Sequence, residues 1–248
     1  MEVITIANQK GGVCKTTTAA ALGQGLQLKG YKVLFIDLDP QGNLTYQLKA
    51  DTKESPVIAD VLDGKHTAGA SIQTTGEKWR IIGSDFTTSK FIYQTAPDLL
   101  KRKIEPLKGK FDYIIIDTPP TLSAMLVNAF VCTNKVIIPT TTGIYATQGI
   151  MQLYQTIEQA RQINQSLVLD GILLTKYNKR SIINRQLKKA IESLAHNIGT
   201  KVYKSTIRQT IAVEEAQATQ QALYTYAPKA TATEDYKNFI NEFLKGDI

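Results

Sequence analysis

The sequence predicts an α/β protein with a doubly wound, mostly parallel sheet, and three observations carry that expectation. Short apolar runs bounded by turn residues recur along the 248 residues, at 3–7, 32–36, 80–82, 113–116, 136–138 and 171–174. Several are rich in Val and Ile without strict alternation, as in strands buried on both faces of a sheet. Segments of helical spacing lie between them. Ile150, Leu153, Tyr154 and Ile157 form one apolar stripe within 147–162. Ile183, Leu187, Ile191 and Leu194 form a second within 181–195, and Tyr236, Phe239, Ile240 and Phe243 a third near the end.

A helix is also expected to begin near Thr16, directly after the first strand and a glycine-bearing turn. The polar stretch 49–78 reads as a short helix around 57–62 followed by loop. No repeat or long Pro/Gly/Ser linker interrupts the pattern, so a single domain over 1–248 is expected. Hydrophobic residues make up 43% and charged ones 21%, which excludes a disordered or collagen-like chain. Cys14 and Cys132 lack the spacing of a zinc or disulfide framework, which favours a reducing, cytoplasmic compartment. The N-terminal apolar run is too short for a signal peptide, and no run of about 18 apolar residues suggests a membrane span.

The segment from Gln9 to Thr18, QKGGVCKTTT, sits between the first strand and that helix. Glycines let backbone N–H groups turn inward, and the helix N-terminus adds partial positive charge, which together make an anion nest. Lys15 can reach β- and γ-phosphates and Thr16 can ligate Mg²⁺. The pattern G-x-x-x-x-G-K-[ST] is not met, because Gln9 and Cys14 stand at its glycine positions.

Lys10-Gly11-Gly12-Val13-Cys14-Lys15-Thr16 does match the deviant Walker A motif K-G-G-x-x-K-[ST]. Asp37-Leu38-Asp39-Pro40-Gln41 and Asp112-Tyr113-Ile114-Ile115-Ile116-Asp117 follow in order, like a second acidic motif and a Walker B. With these motifs the chain resembles the ParA-like partition ATPases of the ParA/MinD group along its whole length.

That resemblance implies a P-loop NTPase fold with ATP and Mg²⁺ as cofactors. Nucleotide contacts are expected from Lys10, Gly11, Gly12, Val13, Cys14, Lys15, Thr16 and Thr17. Thr175, Lys176, Ile207 and Arg208 are expected near the base. Thr16, Asp37 and Asp117 would serve the metal. Lys10, Lys15 and Asp39 would be catalytic, with Asp39 positioning the attacking water and Lys10 crossing to the phosphates of a second copy in an ATP-dependent homodimer. Cys14 departs from the usual glycine, so its loop is expected to be strained if the position needs positive φ, and its thiol could be activated by the helix dipole and Lys15.

The net charge of +7 comes from 29 Lys and Arg against 22 Asp and Glu, and it is local. Residues 171–210 hold nine basic side chains against one acid, Glu192. Lys179, Arg180, Arg185, Lys188, Lys189 and Arg208 are the expected contacts to the DNA phosphate backbone, which would be bound without sequence preference. The resemblance further implies a ParB-like centromere-binding partner and a nucleoid-associated location. With the P-loop so near the first residue, no N-terminal helix-turn-helix domain is expected.

A MinD-like membrane cycle is the neighbouring alternative, and the acids of the terminal segment 238–248 argue against it. A non-enzymatic, ATP-bound DNA-coating protein is another alternative, should Cys14 disable the loop.

Overall fold

The computed structural model describes residues 1–246. Its strands are β1 (Glu2–Ile6), β2 (Val33–Asp37), β3 (Gln73–Thr74), β4 (Arg80–Ile82), β5 (Tyr113–Asp117), β6 (Lys135–Thr140), β7 (Val168–Leu174) and β8 (Val202–Thr206). Its helices are α1 (Lys15–Leu28), α2 (Asn43–Gln47), α3 (Ile58–Asp63), α4 (Leu99–Ile104), α5 (Ala124–Cys132), α6 (Ala146–Arg161), α7 (Ile182–Asn197), α8 (Ile211–Ala218), α9 (Leu223–Tyr226) and α10 (Thr231–Lys245). Among the described residues the strands form one sheet in the order β3-β4-β2-β5-β1-β6-β7-β8. All pairs are parallel except the edge pair β3–β4.

The apolar runs become strands because side chains on successive residues point to opposite faces, and both faces are covered. Ile4, Ile6, Phe35, Ile115, Ile137 and Leu173 face a layer built from α1 and α10. Their neighbours Val3, Leu34, Ile36, Ile114 and Ile116 face the opposite layer with α3, α4 and α5. Val136, Ile138, Ile172 and Leu174 extend that second layer under α6 and α7. Each such side chain contributes about 1.5–3 kcal/mol when fully buried, so the strand centres are the firmest part of the sheet.

The edges and short helices were the least visible in the sequence. β3 is two residues long and β8 reads Val-Tyr-Lys-Ser-Thr, so neither has the Val/Ile density of the central strands. β8 is held in addition from outside the sheet, where the Glu242 carboxylate of α10 accepts the Lys204 and Ser205 backbone N–H groups at 2.6 and 2.8 Å. α10 itself buries Tyr236, Phe239, Ile240 and Phe243 against the core. Asp247 and Ile248, part of the acidic terminal segment, lie outside the described residues.

The α1 layer sits unusually close to the sheet at Gly23. A Cβ placed there would come within 2.2 Å of Phe35 Cε1, a fully buried ring on β2. Gly→Ala in an open helix gains up to about 1 kcal/mol. Here overpacking reverses the sign, and Gly23→Ala should cost about 1–3 kcal/mol, read as a lower midpoint in urea denaturation. A raised midpoint would contradict the α1–β2 contact.

Candidate functional site

The carboxyl ends of β1, β2, β5, β7 and β8 open onto one cleft of about 520 Å³. Ligands of doubly wound sheets bind at this end, where the strand order reverses. The P-loop follows β1 and is pinned from behind. Asn8 Nδ2 donates to the Pro139 carbonyl at 2.8 Å, and Asn8 Oδ1 accepts the Lys10 N–H at 2.9 Å. Thr175 Oγ1 lies 3.2 Å from the Val13 carbonyl and the same distance from that of Thr140. Thr175 and the buried Val13 therefore brace the loop from behind, while Gly11, Gly12, Cys14, Lys15, Thr16 and Thr17 line the cleft.

Gly12 and Cys14 both have left-handed backbones, at φ 74° and 62°. Such residues in a tight loop are how backbone N–H groups are brought to converge on an anion. Cys14 is the N-cap residue of α1, so the strain expected of a side chain at this position is present, at about 1–2 kcal/mol. Its thiol departs from expectation. Burial raises its pKa, outweighing the nearby Lys176 charge and the Thr175 hydroxyl, and Glu214 adds to the rise. Burial thus favours the neutral thiol and opposes the activation expected from the helix N-terminus and Lys15.

Three carboxylates, Asp37, Asp39 and Asp117, meet at the strand ends, the last two beside Lys15, and they do different work. Asp117, at the end of β5, is fully buried. Its Oδ2 accepts the Thr16 hydroxyl at 2.6 Å, while its Oδ1 is buried with no hydrogen-bond partner. Burial first and Asp37 second push its pKa up to about 8, against the opposing effects of Thr16 and Lys15. The Lys15 ammonium is itself buried, which lowers its pKa, with Asp117 and Asp39 pulling the other way.

Asp37 has both carboxylate oxygens engaged in its own turn. Oδ1 accepts the Asp39 N–H at 3.0 Å, and Oδ2 accepts the N–H and hydroxyl of Thr45 at 2.9 and 2.7 Å. Burial raises its pKa to about 6. Its bonds fix the loop that presents Asp39, so Asp37 holds the turn in addition to any support it would give the metal's water shell. Asp39 lines the cleft and accepts the Gln41 N–H at 3.0 Å.

The AAA domain family (AAA_31) matches residues 1–169. The sporulation initiation inhibitor protein Soj of Bacillus subtilis is 34% identical over 97% of both chains. The chromosome partitioning protein ParA of Caulobacter vibrioides is 33% identical over 98% of this chain and 94% of its own. The chain belongs to the ParA-like partition ATPases. Among solved structures, a putative plasmid partition protein from Borrelia burgdorferi bound to AMPPNP is similar at TM-score 0.84, with 26% identity and 98% of both chains covered. Cobyrinic acid a,c-diamide synthase from Mycobacterium smegmatis, with bound ADP and magnesium, is similar at TM-score 0.80, with 29% identity over 99% of this chain and 94% of that one.

For this ParA-like chain, the far wall of the cleft holds Lys176, Ile207 and Arg208, as the sequence suggested. It also holds residues that sequence reasoning missed: Tyr46 and Gln47 of α2, and Val213, Glu214 and Gln217 of α8. The available signal was local. Thr210 caps α8 by accepting the Ala212 N–H, and Glu214 in the first turn suits the helix N-terminus. Lys10 does not line its own cleft. It is exposed, with its ammonium 3.1 Å from where a Cβ on Gly143 would stand, beside the exposed Ile144 and Tyr145.

The basic residues are less uniform than their sequence suggested. Lys179, Arg180 and Lys189 are exposed. Arg185 donates to the carbonyls of Lys179 and Arg180, closing the loop before α7. Lys188 pairs with Glu192. Arg208 is committed to Asp235, its guanidinium donating to both carboxylate oxygens at 2.9 and 2.7 Å, so it ties the β8–α8 loop to α10. The apolar stripe of α7 is buried only in its second half. Ile191 is inside, whereas Ile182 and Ile183 stay exposed, because only the C-terminal turns reach the core under β7.

Asp117 gives a pH-dependent stability whose sign is fixed. Its pKa rises from 3.8 to about 8 on folding, so between those values the native state holds the extra proton and stability falls as pH rises. Nucleotide- and metal-free protein should therefore melt at progressively lower temperature from pH 5 to about 8, and Asp117→Asn should flatten that slope. Parallel melting curves for the two proteins would contradict the burial of an ionisable group there. Separately, Cys14→Gly should raise stability by about 1 kcal/mol through relief of the left-handed Cβ, measured by chemical denaturation.

Proposed function

We propose that this chain is a nucleotide-switched ATPase of a DNA-partitioning system, in which two copies close on ATP and the closed pair holds DNA. The observation that carries the reading is the buried, unpartnered Oδ1 of Asp117, held beside Thr16 and Lys15 under a left-handed P-loop. A buried carboxylate oxygen without a donor calls for a cation. One carboxylate and one hydroxyl, with no three His, Cys, Asp or Glu placed to hold a metal ion by themselves among the described residues, form a donor set suited to Mg²⁺, which takes its other ligands from phosphate and water. Thr16 and Asp117 would hold it, and bound there it would neutralise charge on the β- and γ-phosphates.

The chain's own groups supply the rest. The P-loop N–H groups and the α1 N-terminus bind the phosphate oxygens. Lys15, already paired electrostatically with Asp117 and Asp39, stabilises charge as the γ-phosphoryl group leaves ADP. Asp39, fixed through Asp37 and Thr45, orients the water that attacks phosphorus and yields ADP and phosphate. Lys10, directed away from its own cleft, serves the phosphates of the second copy. The exposed Ile144 and Tyr145 beside it are apolar surface suited to that contact.

Lys179, Arg180 and Lys189 supply the exposed positive charge for non-specific DNA binding, and dimerisation doubles it. A ParB-like centromere-binding partner accelerates hydrolysis, and the separated copies release the DNA. The apolar face of α10 is spent on the core, which favours this reading over a membrane-cycling one. No helix among the described residues is long and apolar enough to cross a membrane.

The test is DNA binding with ATP against ADP across a salt series. Retention with ATP only, falling steeply with salt, is the expected result. Lys10→Ala should lose both the ATP-dependent dimer in sedimentation and the DNA retention, while still binding nucleotide. Equal DNA binding in both nucleotide states, or an intact ATP dimer for the Lys10 variant, would overturn the proposal.

A further inference from the structure

The P-loop is joined to α8 by a side-chain contact that the motifs do not contain. Gln217, on the inner side of α8, places its Nε2 at 2.9 Å from Thr17 Oγ1 and 3.5 Å from Gln47 Oε1. One turn further on, Gln220 Nε2 donates to the Tyr46 carbonyl at 2.8 Å. α8 is thereby fastened to α1 at the residue following Thr16, and to α2. α2 in turn carries Thr45, whose N–H and hydroxyl hold Asp37 and so fix the Asp39 turn.

We propose that Gln217 is a positioning residue for nucleotide: it orients the Thr17 hydroxyl toward the phosphates and couples the α8 wall to the loop of Asp39. An amide N–H can only donate, so Thr17 Oγ1 is the acceptor in their bond. Its own hydrogen is then free to donate elsewhere. Thr17, Gln217 and Gln47 all line the cleft, and the group that such a hydroxyl serves best is an anionic oxygen of the nucleotide. A carboxylate in place of the amide would reverse this arrangement, because it accepts the Thr17 hydrogen and adds a negative charge beside the phosphates. The second amide contact, to Gln47, makes the same residue sensitive to where α2 stands, so phosphate binding and placement of Asp39 share one clasp.

This inference rests on the nucleotide reading above, and the experiment separates the two. Binding of the fluorescent analogues MANT-ATP and MANT-ADP, with Mg²⁺, is measured for wild type, Gln217→Leu, Gln217→Glu, Thr17→Val and the double variant Gln217→Leu/Thr17→Val, alongside kcat and KM for ATP. Gln217→Leu should weaken both analogues roughly three- to tenfold, the range for loss of one neutral hydrogen bond. Gln217→Glu should weaken them further. The effect of Gln217→Leu should largely vanish in the Thr17→Val background, since the amide acts through that hydroxyl. Loss of the Gln47 contact should also lower kcat at saturating ATP, whereas Thr17→Val should act mainly on KM.

Far-UV circular dichroism and urea midpoints confirm that the variants fold. A Gln217→Leu effect of the same size with and without Thr17 would overturn the proposal, as would unchanged affinity in both Gln217 variants. Failure of wild type to bind either analogue would instead overturn the nucleotide reading on which it rests.

Discussion

The buried carboxylate of Asp117 is the constraint around which the rest of the molecule is arranged. It stands at the end of β5, between β1 and β2, where the sheet is covered on both faces. Burying an ionised carboxylate with one oxygen unpartnered costs several kcal/mol. Ile114, Ile115 and Ile116, all fully buried in the same strand, offset a cost of that order. The apolar sheet centre thus supports a polar site at its rim, and the site stays electrostatically incomplete: Asp37 and Asp117 are both displaced toward the neutral form, and Lys15 is displaced the same way. Cation and phosphate together would complete it.

Two layers transmit that state outward. On one side the P-loop runs into α1, which packs tightly on β2 at Gly23 and receives α8 through Thr17 and Gln217. On the other side the β6–α6 connection brings Ile144 and Tyr145 to the surface next to Lys10. The Arg208–Asp235 pair fastens the base-side loop to α10, so charge that looked available for DNA in the sequence is used for architecture instead. The surface charge proposed for DNA is correspondingly narrower, centred on the loop before α7 and the outer face of that helix.

The sequence made the central strands legible because Val and Ile runs are hard to place anywhere but a doubly covered sheet. It made the phosphate loop legible because Gly12, Lys15 and Thr16 each answer a separate chemical need at fixed spacing. It also exposed the position of Cys14 as one that glycine favours, which the left-handed backbone bears out. What it hid depended on tertiary context. Asp37 and Asp117 are the same residue type at the ends of adjacent strands, yet Thr45 and the Asp39 N–H engage both oxygens of one and Thr16 only one oxygen of the other. The thiol of Cys14 turned on the balance between burial and one lysine, which no motif encodes. α8, with Gln217, was hidden because it is only eight residues long and reaches the core through Ala216 and Val213 alone, too few positions to show the apolar stripe that marks α6 and α10.

The central claim, that the site is built around an acid awaiting a cation, is tested most directly by counting protons. Calorimetric titration of ADP at pH 7, with and without Mg²⁺ and in two buffers of different ionisation enthalpy, gives the protons released on binding. With its pKa pushed up to about 8, Asp117 is mostly protonated at that pH in the free protein. Magnesium-dependent binding by wild type should therefore release the larger part of one proton more than binding by Asp117→Asn. An identical proton count for the two proteins would contradict the account.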